Sequence, residues 1–299
     1  MQTTYDGSHS IIFCRQEAFT DSDDFPLGGP DDFYGGYHSW YSFGLVPATR
    51  PFVNAPQQKT STLDIPGANG SIDLSNVPLG FATYQNRTGS WEFHIAHDIT
   101  GRPWEEAYQD ILFKLHGKQV AVILTDDPSY FYKGRVYINQ YKSDRMNSSI
   151  TINYDLYPYK RMVWTTLGDW LWDPFDFYHG EVPITQGIFK DIDVSSSTTA
   201  SGNWDMNSEG SFNYHYTPEE IGSEPVTPVI TVTPNLGVMK PFRIAVHNRL
   251  KGNVKYFDLM NGINKNPQIM FACPDPFDHT DVIIGGQGKV SIQLRPGRL

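Results

Sequence analysis

Nine histidines are spread along the 299-residue chain, and none stands in an HExxH pair, an HxH with a spaced third ligand, or a Cys/His zinc pattern. His94 and His97 lie near Glu92 and Asp98, but these four match no ligand spacing, so no metal is expected. The GGQGK run at Gly285 lacks the first-glycine spacing of a phosphate loop and the Ser or Thr after its lysine, and reads as a turn. GxSxG is absent, so no nucleophile elbow is signalled. Asp and Glu are plentiful, yet the paired carboxylates of a glycosidase need only meet in space, so abundance assigns no residue to that role. Asp21, Asp23, Asp24, Asp31 and Asp32 have glycine nearby, as a calcium loop would, but the closing Glu of an EF-hand is missing and a solvated loop is the simpler reading. Cys14 and Cys273 are far apart and follow no redox or metal spacing. No catalytic residue, cofactor or metal is indicated, and the chain reads as a non-enzyme.

Binding chemistry has one aromatic candidate. Residues 162–180, MVWTTLGDWLWDPFDFYHG, gather Trp164, Trp170 and Trp172 around Pro174, and Trp204 follows. Trp170, Trp172 and Trp204 are the candidates for stacking on a glycan. Exposed indoles in such number would invite aggregation, so packing at a domain junction is the favoured reading. A formal net charge of −10 disfavours nucleic-acid binding, which depends on Lys and Arg neutralising phosphates.

The elements that would position these residues are mostly strands. Aromatic residues make up 14% of the chain, with 26 Gly and 21 Pro, a profile of short strands joined by turns. Residues 63–93 hold the clearest pattern. Pro66-Gly67 and Asn69-Gly70 offer two reversals, and Asn86-Arg87-Thr88-Gly89 launches a strand in which Trp91, Phe93 and Ile95 alternate with Glu92 and His94. Upstream, residues 1–35 read as an arm or extended loop, and residues 37–46 as an opening strand followed by a proline-spaced connection.

Residues 102–116 form the one convincing helix: Pro103 suits its first turn, Glu105 and Glu106 favour its N-terminus, and Gly117 stops it. Trp104, Tyr108, Ile111, Leu112 and Leu115 share its core-facing stripe. A hairpin over residues 120–141 and an alternating strand over 150–156 follow, and short extended runs at sandwich spacing occupy the rest. No basic-then-apolar leader follows Met1 and no apolar run nears a membrane-spanning length, so a cytoplasmic start and no membrane contact are expected.

The ordered segments YHSWYSFGL, DIPGANGSIDL, QNRTGSWEF, PWEEAYQDILFKLHGK, LTDDPSYFYKGRV and ITINYDLYPYK resemble the distal tail (Dit) proteins of long-tailed bacteriophages of Gram-positive hosts, over residues 36–160. The motif carries Asp64, Pro66, Gly67, Gly70, Asn86, Arg87 and Gly89 as its turn residues. The resemblance implies a mainly β chain: an N-terminal extension (1–35), a β-sandwich or split-barrel hub domain with one α-helix (36–165), and a C-terminal β-sandwich resembling a galectin-like jelly roll (166–299) that ends in a Gly-punctuated hairpin.

By the same resemblance the protein is a virion structural component assembled in the host cytoplasm. It would be a homohexameric ring joining the tail tube to the tail-tip or baseplate proteins, with host cell-wall glycan as a further partner. Such a ring would enclose the DNA channel without binding DNA, and the acidic balance of the chain suits either a non-adhesive channel wall or the ordinary solubility of an acidic protein. The alternative is a carbohydrate-binding or glycan-processing protein carrying a β-sandwich module.

Overall fold

A computed structural model of the chain describes residues 7–15, 30–67, 69–76, 82–95, 103–143, 148–163, 188–194, 211–216, 223–235, 237, 242–248, 253–272, 280–294 and 297–299. It is mainly β and divides into two units at Val163. The first unit contains β1 (Ile11–Arg15), β2 (Tyr37–His38), helix α1 (Ser39–Phe43), β3 (Leu45–Pro47), β4 (Thr62–Asp64), β5 (Ser71–Asp73) and β6 (Arg87–Ile95). Helix α2 (Trp104–Leu115), β7 (Gln119–Leu124), β8 (Tyr130–Ser143), β9 (Ser148–Leu156) and β10 (Lys160–Met162) complete it. An antiparallel sheet runs β2-β1-β7-β8-β9-β6-β3, with β10 against β8, while among the described residues β4 and β5 pair only with each other.

The alternation in β6 does what its pattern demands: Trp91, Phe93 and Ile95 are buried while Glu92 and His94 face solvent. Their neighbours show that the sheet curls. The Phe13 ring on β1 lies 6.3 Å from that of Trp91 on β6, although three strands separate β1 from β6 in the sheet order. In a flat sheet those strands would stand about 19 Å apart, at roughly 4.8 Å per step. The strands therefore wrap one core, which Ile111 and Leu115 of α2 complete.

Two readings of the N-terminal stretch change. Residues 11–15 are no arm: they form β1, pairing with β7 from Ile11↔Leu124 to Arg15↔Val120 and burying Ile11, Phe13 and Cys14. The apolar run was too short to separate strand from loop by period alone. Nor is the span 37–46 one strand, because α1 interrupts it between β2 and β3. His38 starts that helix by accepting hydrogen bonds at Nδ1 from the Trp40 and Tyr41 amides (3.1 and 3.3 Å), and Gly44 ends it at φ 68°.

The His38 ring must be neutral to accept both bonds, and burial lowers its pKa from 6.5 to about 4. Above pH 6.5 both folded and unfolded forms are neutral and stability is unaffected. Between the two values only the unfolded chain takes up the proton, so stability is expected to fall with pH by about 3 kcal/mol in all. Thermal melts from pH 7 to 4 should show this decline. His38→Asn, which caps without titrating, should flatten it; an unchanged slope in that variant would contradict the assignment.

The second unit comprises β11 (Ile188–Asp193), β12 (Ser211–Tyr216), β13 (Val229–Pro234), β14 (Phe242–Asn248), β15 (Asn253–Leu259), β16 (Gly262–Asn264), β17 (Thr280–Gly285) and β18 (Gly288–Gln293). Its two sheets, β11-β18-β13-β16 and β12-β17-β14-β15, share a core. Ile230, Val232, Val290 and Ile292 enter from one, and Phe242, Ile244, Val282 and Ile284 from the other, which makes a β-sandwich. The closing glycine-rich segment is not a hairpin, since β17 and β18 belong to opposite sheets. Its glycines permit the crossing: a Cβ at Gly286 would stand 2.4 Å from the Phe242 ring, and one at Gly288 would meet the Thr233 carbonyl at 2.3 Å. Trp170, Trp172, Trp204, His97, Cys273 and Asp21, Asp23 and Asp24 lie outside the described residues.

Candidate assembly interface

Between β3 and β6 the chain leaves the sheet as a two-stranded ribbon. Its two strands are tied at successive levels: Gln85 N to Gln57 O (2.7 Å), Lys59 N to Thr83 O (2.8 Å) and Leu74 N to Ser61 O (2.8 Å), then the β4–β5 pairs. Every described residue from Gln57 to Asp73 is exposed. At the end of the ribbon Leu63 pairs directly with Ile72, so one face presents both, while the other presents Thr62, Asp64, Ser71 and Asp73. Leu63, Ile65 and Ile72 retain 52%, 44% and 47% exposure, an unusual amount of bare aliphatic surface for a structure only two strands wide.

The motif residues sort into tip and root. Gly67 and Gly70 are at φ 87° and 79°, the left-handed region that the turn reading anticipates, and an added Cβ at either would meet nothing within 4 Å. Asp64 accepts a hydrogen bond from the Ser71 hydroxyl across the tip. Gly67→Val is therefore expected to strain the tip by roughly 1–2 kcal/mol and to leave melting of the first unit unchanged. Loss of global stability would show that the ribbon is integral to the core. Asp73 is held below the usual carboxylate range by hydrogen bonds from the Ser75 hydroxyl and amide, so the tip carries negative charge at neutral pH.

Arg87 and Gly89, read from the sequence as turn residues, lie inside β6, whose ladder to β9 begins at Arg87↔Leu156. Gly89 serves close approach rather than positive φ. A Cβ there would stand 2.4 Å from the Tyr154 hydroxyl and 2.6 Å from Asn54 Nδ2. Tyr154 uses that space to stack on Trp91 (4.3 Å) and to accept a hydrogen bond from the Asn54 amide (3.0 Å).

Arg87 fastens the same root. It is buried, and it donates from Nε to the Pro158 carbonyl (2.6 Å) and from Nη1 to the Asn54 carbonyl (2.9 Å), with its guanidinium over the Tyr132 ring. Burial lowers its pKa, with the Tyr132 and Tyr154 hydroxyls acting in the opposite sense. Asn86 sits beside it, bonded through Nδ2 to Asp155 (2.8 Å). Trp91 Nε1 completes the attachment by donating to the Phe52 carbonyl (2.8 Å), and Arg50 Nε reaches Asp126 (2.8 Å). Desolvation works to raise the Asp126 carboxyl, but hydrogen bonds from Arg50 and His9 outweigh it and leave it below its usual range.

A stiffly rooted ribbon ending in a bare aliphatic face is suited to contact with another molecule, not to bond chemistry. Among the described residues no group of three or more His, Cys, Asp or Glu side chains is placed to hold a metal, and no helix is long and apolar enough to cross a membrane. The sequence motif pointed to the tip glycines. It gave no sign that Arg87, Gly89 and Trp91 form the root, because that depends on the distant partners Asn54, Tyr154 and Pro158.

No protein-family description matches the chain, and no curated protein matches its sequence. Among solved structures, it is similar to the crystal structure of the SPP1 Dit protein (gp 19.1), described as a paradigm of the hub adsorption apparatus in phages that infect Gram-positive hosts. The TM-score is 0.44 at 11% identity, covering 84% of this chain and 93% of that one.

Proposed function

We propose that the chain is a structural protein of a bacteriophage tail, a distal tail hub whose copies join head to tail into a six-fold ring. The ring connects the tail tube on one side to the tail-tip or baseplate proteins on the other. The observation that carries this reading is the rooted ribbon with Leu63, Ile65 and Ile72 bare at its end. A heterologous ring needs two unlike surfaces on each subunit, and a projecting arm is one of them. The ordered motifs over residues 36–160 support the family assignment. The net charge of −10 suits a bore through which DNA passes without adhering.

In this role the second unit is a docking module for other tail proteins or for cell-wall glycan, and no bond is made or broken. Electron micrographs of the purified chain, alone and mixed with tail-tube protein, test the reading. Six-fold rings with a central hole are expected; single particles in both samples would overturn it.

A further inference from the structure

We infer that the root of the ribbon encloses a binding site for one small inorganic anion, of the size and charge of chloride, held by the Arg87 guanidinium. Arg87 lies on the same face of β6 as Trp91 and Phe93, so a cation enters the side of the strand that builds the core, and only 5% of it is exposed. Its Nε and Nη1 donate to the Pro158 and Asn54 carbonyls. Nη2 is closed to solvent, and no acceptor among the described residues reaches it. No carboxylate among them meets the charge either: Asp155 is engaged by Asn86, and Asp127 by Lys160.

A buried lysine could shed its proton, but a guanidinium cannot, so its charge has to be met where it stands. A buried cation left without a counter-charge is strongly destabilising. The face of the Tyr132 ring, 5.5 Å from the guanidinium carbon, offsets part of that charge and is no counter-ion. A water molecule would accept from Nη2 and leave the charge; an anion answers both. Further donors stand close by. The Tyr132 and Tyr154 hydroxyls are near enough to Arg87 and to each other to influence one another's ionisation, and burial pushes both up, so each keeps its proton at neutral pH. The Tyr154 oxygen already accepts from the Asn54 amide, which leaves its O–H to donate. An acidic side chain of another protein cannot reach an atom sealed from solvent, whereas a monatomic ion can be enclosed. Gripping Asn54 of the ribbon and Pro158 beyond β9 through one guanidinium, the bound ion would stiffen the root whether or not copies of the chain assemble.

Melting curves of the full chain, recorded as gluconate is exchanged for chloride at constant ionic strength, test the site, because gluconate is too large to be enclosed. Each tenfold rise in chloride above its dissociation constant is expected to raise the first unit's melting temperature by roughly 3–6 °C. Arg87→Met should abolish that dependence. Tyr132→Phe, which keeps the ring and removes one donor, should shift it to higher chloride. Crystals grown with bromide in place of chloride should show an anomalous scatterer within hydrogen-bond reach of Nη2, a result that decides the matter even if Arg87→Met fails to fold. Identical melting in the two salts, with ordered water only beside Nη2, would overturn the site. So would a chloride dependence that Arg87→Met retains, or bromide bound only elsewhere.

Discussion

On the proposed ring reading, the Leu63→Asp/Ile72→Asp variant is expected to remain a single chain at concentrations where that reading has the wild type assemble, with the same melting temperature. Both side chains are about half exposed and face the same side of a ribbon that touches no core cluster. Completing their burial on a partner would contribute roughly 1–2 kcal/mol each, from about 25 cal/mol per Å² of apolar surface. Aspartate removes that gain and adds the cost of desolvating two carboxylates, at least several kcal/mol for each contact. Each 1.4 kcal/mol is about a tenfold change in affinity, so every joint should weaken by more than a thousandfold. Sedimentation velocity measures the outcome. Rings persisting in the variant would show that the ribbon's aliphatic face is not used.

Trp91→Ala is expected to act on stability instead. The indole lies in the main core, stacks on Tyr154 and meets Phe13 edge-on, while Nε1 holds the Phe52 carbonyl at the ribbon root. Truncating so large a buried aromatic costs about 3–5 kcal/mol. Against a typical domain stability of roughly 5–15 kcal/mol that is a large share. The first unit's melting temperature should drop by on the order of 10 °C. Trp91→Phe keeps most of the packing and leaves the Phe52 carbonyl without its donor, so a smaller loss of about 1 kcal/mol is expected. Equal losses in the two variants would place the value of Trp91 in its hydrogen bond; a negligible loss in Trp91→Ala would contradict the core assignment.

How far the chain could be read in advance depended on whether the deciding contacts were local. The strand at Trp91–Ile95 was legible because period-2 alternation and a half-buried strand are the same fact. Gly67 and Gly70 were legible because tight reversals require φ values that glycine alone adopts freely. Helix α2 followed from its acidic first turn, its stripe and Gly117, whose φ is 71°.

The failures share a different cause. Helix α1 is hidden in the β-prone aromatic run YHSWYSFG because its N-cap is a histidine, outside the usual Ser, Thr, Asp and Asn set. Strand β1 becomes a strand through partners that lie elsewhere in the sequence, β2 on one side and β7, more than a hundred residues away, on the other. Gly89 looked like turn chemistry, whereas its purpose is room for Tyr154, which no local pattern encodes. The crossing between β17 and β18 was masked in the same way: a glycine-rich link between two strands reads as a hairpin until each strand's own partners are known.

For the candidate interface, Leu63 and Ile72 read as ordinary strand residues. That they remain bare follows from the packing, since among the described residues that face of the ribbon stays exposed.

The claim that copies of this chain close into a ring is tested most directly by the mass of the purified protein in native mass spectrometry. Six copies per particle, lost in Leu63→Asp/Ile72→Asp and retained in Trp91→Phe, is the predicted result. A single 33.9 kDa chain at every concentration, with or without tail-tube protein, would contradict it.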